Sequence, residues 1–353
     1  MRYRDAGVDI ERADHVKQAL GRHLRATWGR AVRALPQGFA GVMEWPAGPP
    51  PLGREEARRV ETPPLLLAAT LDGVGTKLHL ALAADRIGDT AADLVYHGAN
   101  DLLVHGARPL AFLDYIAQER LDPRVILEVV AGLSRACREV GAALLGGETA
   151  EMPDTYRPGV VDVAGCMIGT VASGALLDGG AVEPGDLIVS LASSGLHTNG
   201  YSLARRVLAA SGLELKSTLP GGGGESIGEA LLAPHRWYGP ALLPELEHPG
   251  IHALAHVTGG GIAGNLVRVL PEGRRARVRG AAWVRPAVFR WIIETGRVPE
   301  ADARATFNLG VGMLVVCAPS RADPLIGDLE RAGERAQVIG EVERGERGVE
   351  WMV

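Results

Sequence analysis

The chain has 353 residues, 46% of them hydrophobic and 22% charged, with a formal net charge of -5. That length exceeds what one hydrophobic core usually fills, so two domains are expected, and the composition excludes a disordered chain. The mildly acidic balance gives no long-range positive field to gather nucleic acid or an anionic membrane, so a phosphorylated ligand has to be held by local groups.

In chain order, MRYRDAGVDIERADH is charged throughout, and residues 13–34 carry Val16, Ala19, Leu20, Leu24, Trp28 and Val32 at close to helical spacing, which predicts one helix. A Pro- and Gly-rich stretch from Leu35 to Pro64, with a small-residue turn at 37–41, reads as mostly loop. Pro64 to Leu71 is a short apolar run bounded by Pro and Gly, the pattern of a buried strand. Its Leu65 to Leu71 part is far too short to span a bilayer, so a soluble, cytoplasmic protein is expected.

Helical patterns at 91–106 and 125–141 then alternate with apolar runs at 109–115, 142–145 and 161–171, which predicts an α/β layer. A domain junction is expected at 171–174, giving an N-terminal domain over 1–171 and a C-terminal domain over 172–353. The second half repeats the logic, with strands at 187–191, 252–257 and 310–316 and a helix over 201–211. Arg275, Arg277 and Arg279 alternate as on one solvated strand face, and Gly221 to Gly224 lack the preceding strand and Lys-Ser/Thr ending of a phosphate loop. Cys137, Cys166 and Cys317 are odd in number and widely spaced, which argues against disulfides and zinc and for buried small apolar roles.

Three segments of the first half can carry chemistry. Asp72-Gly73-Val74-Gly75-Thr76-Lys77 follows the first strand, and its glycines let backbone N–H groups approach phosphate oxygens while Lys77 adds a charge and Asp72 reaches for a metal. The plain alternative is a tight turn with a solvated Lys. Asn100-Asp101 lies among Leu94, Val95, Leu102, Leu103 and Val104, where a carboxylate has to be hydrogen-bonded, salt-bridged or metal-bound. Glu148, in Gly146-Gly147-Glu148, is expected at the end of the 142–145 strand, where open α/β sheets gather ligands. Asp72, Asp101 and Glu148 together suit a Mg²⁺-nucleotide complex better than an all-protein metal cage.

In the second half, the strand-to-helix junction Ser193-Ser194-Gly195-Leu196-His197-Thr198-Asn199-Gly200 offers hydroxyls and amides to an anion. His256-Val257-Thr258-Gly259-Gly260-Gly261 repeats the design, with Asn265 one turn beyond. His79, His97, His105, His235, His248 and His252 read as structural, since a lone His is more often a hydrogen-bonded framework residue than a catalyst.

These segments, in this order, resemble the aminoimidazole ribonucleotide synthetase family. The matching stretches are YRDAGVDI, DGVGTK, NDLLVHGARPLAFLDY, GGETAEMP, DVAGCMIG, SSGLHTNGYSL, LLAPHRWY, HVTGGG and TFNLGVGM, which cover nearly the whole chain. DGVGTK-like turns also occur in selenophosphate synthetase and thiamine-phosphate kinase, whereas GGETAEMP and HTNGYSL are more specific. Leu71 stands where the family commonly has Thr, Ala40 where it commonly has Gly, and His235 where it usually has Thr.

The resemblance implies a two-domain α/β (α+β) synthetase whose N-terminal mixed sheets form a barrel across a homodimer. The ATP site then involves both subunits. It implies that formylglycinamidine ribonucleotide and ATP give aminoimidazole ribonucleotide, ADP and phosphate, through phosphorylation of the formyl oxygen. With that chemistry, Asp72, Gly73, Gly75, Thr76, Lys77, Asn100 and Asp101 are the candidates for the nucleotide, and Asp72, Asp101 and Glu148 for Mg²⁺. Ser194, Gly195, His197, Thr198, Asn199, Thr258, Gly259, Gly260 and Gly261 are assigned to the substrate, and Lys77, His197 and His256 to catalysis.

Sister enzymes fit less well. Selenophosphate synthesis calls for a reactive Cys near the N-terminus, where the first Cys here is Cys137, and a hydrogenase-maturation relative calls for a Cys tail where this chain ends Glu-Trp-Met-Val. A non-catalytic scaffold would have lost the carboxylates or Lys77, and no glutaminase domain fits in this length.

Overall fold

The computed structural model describes residues 1–2, 4–6, 26–35, 38–45 and 64–352. The helix expected over 13–34 lies outside the described residues up to position 25, and its far end is instead strand β1 (Val32–Arg33). Most of the expected 35–64 loop also lies outside them, but Gly41–Glu44 forms strand β2, too short to leave a periodic signature.

Two six-stranded sheets organise the rest. The first has the order β1-β2-β3-β6-β4-β5, with β3 at Leu65–Gly73, β4 at Arg108–Gln118, β5 at Ala143–Glu151 and β6 at Val161–Ala172. It is mixed: β4 and β5 run parallel, while β3 and β4 each pair antiparallel with β6. Its β6 alternates, with Val161, Val163, Gly165, Met167, Gly169 and Val171 buried and the residues of the other face half-buried, so only one face is covered. A short helix α1 (Lys77–Ala83) follows the turn after β3, and helices α2 (Ile87–Leu103) and α3 (Pro123–Val140) supply the packing on the covered face. The boundaries of α3 follow from local chemistry: the Asp122 side chain accepts from Arg124 N–H, Pro123 starts the helix, and Gly141 ends it at φ 77°. The opposite face leaves Leu65, Leu71, Leu110, Leu113 and Leu145 exposed.

The second sheet has the order β12-β9-β11-β7-β10-β8, with β7 at Leu187–Ala192, β8 at Ile251–His256, β9 at Arg274–Arg279, β10 at Val311–Cys317, β11 at Ala336–Arg344 and β12 at Gly348–Met352. Every residue of β10 is buried, as its unbroken VGMLVVC run requires of a central strand. On β9, Arg275 and Arg277 face outward to Glu350 and Glu343, so the alternating arginines are a solvated strand face. The helix read at 201–211 is α4 (Tyr201–Ser211). The three cysteines are free; Cys137 and Cys317 are buried, whereas Cys166 is only half-buried because it lies on the uncovered face of β6.

Helix α2 joins the two halves. Nearly every side chain from Ile87 to Leu103 is buried, which is the condition of a helix enclosed on all sides rather than laid on one surface. One face packs on the first sheet, while Leu103 and Val104 enter the core of the second half. Its remaining stripe carries Asp93, His97, Asn100 and Asp101, spaced so that all four share one side of the helix.

Candidate functional site

That polar stripe meets the end of β3 on one side and three segments of the second half on the other. Asp72, near the end of β3, places Oδ2 2.9 Å from Nε2 of His97, and Asp101 Oδ2 is 3.6 Å from the same nitrogen. Nδ1 of His97 contacts the Thr198 hydroxyl at 2.8 Å. Asp101 turns its other oxygen to Nδ1 of His256 at 2.8 Å, and Nε2 of His256 lies 3.0 Å from Nε2 of His235. His197 stacks on His235 with ring centroids 4.1 Å apart.

Four histidines from four parts of the chain are thus packed in one buried cluster against two carboxylates. Their protonation follows from their neighbours. Burial alone would lower His97, but Asp101 and Asp72 outweigh it and push this imidazole up to about 9, so it is a cation at neutral pH. Burial holds His197 and His235 well below the usual imidazole range, with the surrounding cations adding to the effect. It also lowers His256, although its contact with Asp101 opposes this. Burial would raise the Asp72 carboxyl, yet the His97 contact and the Gly73 amide keep it below its ordinary value.

The two glycine-rich segments of the second half come together. His197 sits at φ 59° in the turn between β7 and α4, and its Nε2 accepts from Ser194 N–H at 3.3 Å. Gly259, in the turn after β8, lies against Asn199: a Cβ there would come within 3.1 Å of the Asn199 oxygen. Asn265 folds this second turn by donating to the carbonyl of Gly261 at 2.8 Å and accepting from the Thr258 hydroxyl at 3.2 Å. The backbone N–H groups of Gly260 and Gly261 are turned inward to the carbonyls of Ala305 and Thr258, so neither is offered to an anion in this arrangement.

Other candidates are placed differently from the sequence reading. The Lys77 ammonium is fully buried, 2.5 Å from Asp93, 3.0 Å from the His197 carbonyl and 3.2 Å from the Ala233 carbonyl. A phosphate contact by Lys77 is therefore not available in this arrangement; Asp93 holds the ammonium above its ordinary pKa despite burial. Asn100 likewise spends its amide on the chain, donating to the Arg236 carbonyl at 2.8 Å and accepting from Tyr238 N–H at 3.2 Å. Thr76 meets Ser202 at 3.1 Å, the Ser194 hydroxyl donates to the Pro234 carbonyl, and the Gly195 carbonyl accepts from Asn308. Gly75 makes the turn after β3 at φ 69°.

Glu148 departs most from expectation. It lies inside β5 rather than at its end, in register with Tyr115 of β4 and, through β4 and β6, with Gly73 of β3. Since Asp72 is one residue before Gly73, Glu148 projects to the opposite, uncovered face of the sheet. Three strand spacings separate β5 from β3, about 14 Å. Within one chain, Asp72 and Asp101 converge and Glu148 does not join them.

Sequence reasoning missed Asp93, His97 and His235. For the first two a signal existed, because Asp93, His97 and Asp101 recur every four residues within the 91–106 helical pattern, on one face of a largely apolar helix. His235 lies in an irregular segment, and nothing local indicates that its ring stacks on His197.

This architecture defines the class to which the chain belongs, the AIR synthase related proteins: the N-terminal domain of that family matches residues 57–171 and the C-terminal domain residues 183–352. More narrowly, the chain belongs to the phosphoribosylformylglycinamidine cyclo-ligase family. It is 41% identical over 351 residues to the phosphoribosylformylglycinamidine cyclo-ligase of Synechococcus sp. (strain RCC307), covering 98% of this chain and 97% of that one. It is 43% identical over 343 residues to that of Sorangium cellulosum (strain So ce56), covering 96% and 94%.

Solved structures share the fold at lower identity. AaThiL complexed with AMPPCP and TMP superposes with a TM-score of 0.60 at 14% identity, covering 97% of this chain and 93% of that chain. For tt0281 from Thermus thermophilus the TM-score is 0.58 at 21% identity, with coverage of 89% and 88%. No helix among the described residues is long and apolar enough to cross a membrane.

Proposed function

We propose that this chain is a ring-closing ligase of purine biosynthesis, converting formylglycinamidine ribonucleotide and ATP to 5-aminoimidazole ribonucleotide, ADP and phosphate in the cytoplasm. Membership of the cyclo-ligase family supports the reaction. The observation that carries the site is the meeting of Asp72 and Asp101 at His97 beside the two glycine-rich turns.

Phosphoryl transfer asks a protein mainly to position its reactants and neutralise charge. Asp72 and Asp101 suit Mg²⁺, which takes one or two carboxylates and completes its shell with water and phosphate oxygens. Both carboxylates now face the His97 cation, the kind of positive partner that a metal would replace. When bound, the ion would supply positive charge to neutralise the triphosphate. Glu148 would serve the same nucleotide only from the uncovered sheet face.

The chain's own residues supply the rest. The Ser194–Asn199 and Thr258–Gly261 turns would hold the ribonucleotide, opening from the inward-bonded arrangement described above. His256, with Nδ1 fixed by Asp101, would help orient the site as the ring closes. The formyl oxygen receives the γ-phosphoryl group, the ribose-bearing nitrogen attacks the activated carbon, and phosphate leaves with that oxygen. Lys77 acts as a positioning residue, since its contacts fix the His197 carbonyl and Asp93.

The exposed Leu65, Leu71, Leu110, Leu113 and Leu145 share the uncovered face of the first sheet. A contiguous apolar face of this kind favours burial against a second copy, so a homodimer whose sheets close into a barrel accounts for it.

The test is to incubate the purified protein with formylglycinamidine ribonucleotide and Mg-ATP and to follow ADP and the aminoimidazole product together. Substrate-dependent ADP release without that product would point to a sister enzyme. Asp72→Asn should lose several orders of magnitude in kcat at unchanged thermal stability, and near-normal turnover would remove Asp72 from the metal site.

A further inference from the structure

The histidine cluster holds more nitrogen ligands than ring closure needs. His197, His235 and His256 each place a ring nitrogen within 4.8 Å of the others, and all three side chains are buried. Nδ1 of His197, shut off from water, has no hydrogen-bond partner among the described residues.

We propose that His197, His235 and His256 bind one divalent transition ion of the zinc class, a site separate in ligand chemistry from the carboxylate site for Mg²⁺. Three observations on the cluster converge on this assignment. First, Nε2 of His235 and Nε2 of His256 are 3.0 Å apart. Two nitrogens at about 2.0–2.1 Å from one tetrahedral ion are separated by about 3.3 Å, so the pair has to open by only a few tenths of an ångström.

Second, His256 already has the support that metal-bound imidazoles use. Its Nδ1 faces Asp101 at 2.8 Å, which orients the ring and leaves Nε2 as the electron-pair donor. Third, all three donors are imidazole nitrogens, which suit Zn²⁺, Co²⁺, Ni²⁺ or Cu²⁺, whereas Mg²⁺ selects oxygen. The three protein ligands leave a fourth position for water, the pattern of an open rather than a closed zinc site. The ion would tie together the turn before α4, the segment after Leu232 and the end of β8.

The assignment rests on the three rings and Asp101, and it stands whether or not the ring-closing reaction is confirmed. The experiment uses the full chain stripped with a chelator and titrated with Co²⁺ alone, without nucleotide. One equivalent should produce the intense visible bands of tetrahedral Co²⁺, and Zn²⁺ should displace them stoichiometrically. His235→Thr and His197→Gln should each abolish the saturable signal, and Asp101→Asn should weaken Co²⁺ binding about 10- to 100-fold. His252→Asn, whose ring pairs with Asp186 away from the cluster, should bind as the unaltered protein does. Circular dichroism on each variant separates loss of ligand from loss of fold, and two ligand variants keep the test decisive if one does not fold. Absence of a tetrahedral spectrum, or a spectrum retained in both folded ligand variants, overturns the site. Because no substrate is present, that failure is distinguishable from failure of the cyclisation assay.

Discussion

Lys77 and Asp93 form an ion pair 2.5 Å long with both side chains withdrawn from water. Asp93 is also held at its other oxygen by the backbone N–H of His235 at 2.7 Å. The first half contributes both charges, and the second half supplies the amide and two of the carbonyls that complete their hydrogen bonding. The pair therefore depends on the two halves being docked.

Removing one partner strands the other. Lys77→Met should destabilise the fold by about 3–5 kcal/mol, the cost of an uncompensated buried charge, measured by denaturant unfolding. Adding Asp93→Asn should recover most of that loss, because the amide keeps an acceptor for His235 N–H. A Lys77→Met protein of unaltered stability would show that the ammonium is not buried in solution.

Gly312 makes room for the cluster. A Cβ there would lie 2.0 Å from the Tyr238 hydroxyl and 2.6 Å from Cε1 of His197. Gly312→Ala should therefore cost about 1–3 kcal/mol by overpacking, seen as a lower thermal midpoint, and should displace the His197 ring. An unchanged midpoint and an unshifted His197 resonance would contradict the packing described.

Leu71 is 72% exposed on the uncovered sheet face. If that face closes against a second copy, Leu71→Lys should convert a dimer to monomer in sedimentation velocity at micromolar concentration. A dimer that survives this change would have to use another surface.

Glu300 answers to pH. Its hydrogen bond to Arg285, helped by Arg304, pulls the carboxyl down to about 2. A depressed folded-state pKa contributes stability that is present above the ordinary carboxylate range and is lost as pH falls through about 2. The group is partly exposed, so the effect is modest. Thermal midpoints compared at pH 6 and pH 3 should drop less in Glu300→Gln than in the unaltered protein, and an equal drop would discount the pair.

Local pattern alone determined much of the fold. Short apolar runs bounded by Gly or Pro became β3, β7, β8 and β10, and apolar residues at helical spacing became α2, α3 and α4, because backbone periodicity and burial act over a few neighbouring residues. Asp101 was recognisable for the same reason, as a charge in a segment otherwise destined for the interior, and Asp72 by its place in the glycine turn that ends β3.

Only the tertiary structure decided where those groups point and what they meet. The side of the sheet on which Glu148 emerges depends on the register of β3, β6, β4 and β5, and one residue of difference sends it away from Asp72. Lys77 looked like a phosphate ligand until Asp93, sixteen positions on, claimed its ammonium. The stacking of His235 on His197, and the approach of His97 to His256, join segments that no sequence period connects. Such contacts arise from how two sheets dock around one buried helix, and long-range docking leaves no local trace in the order of residues.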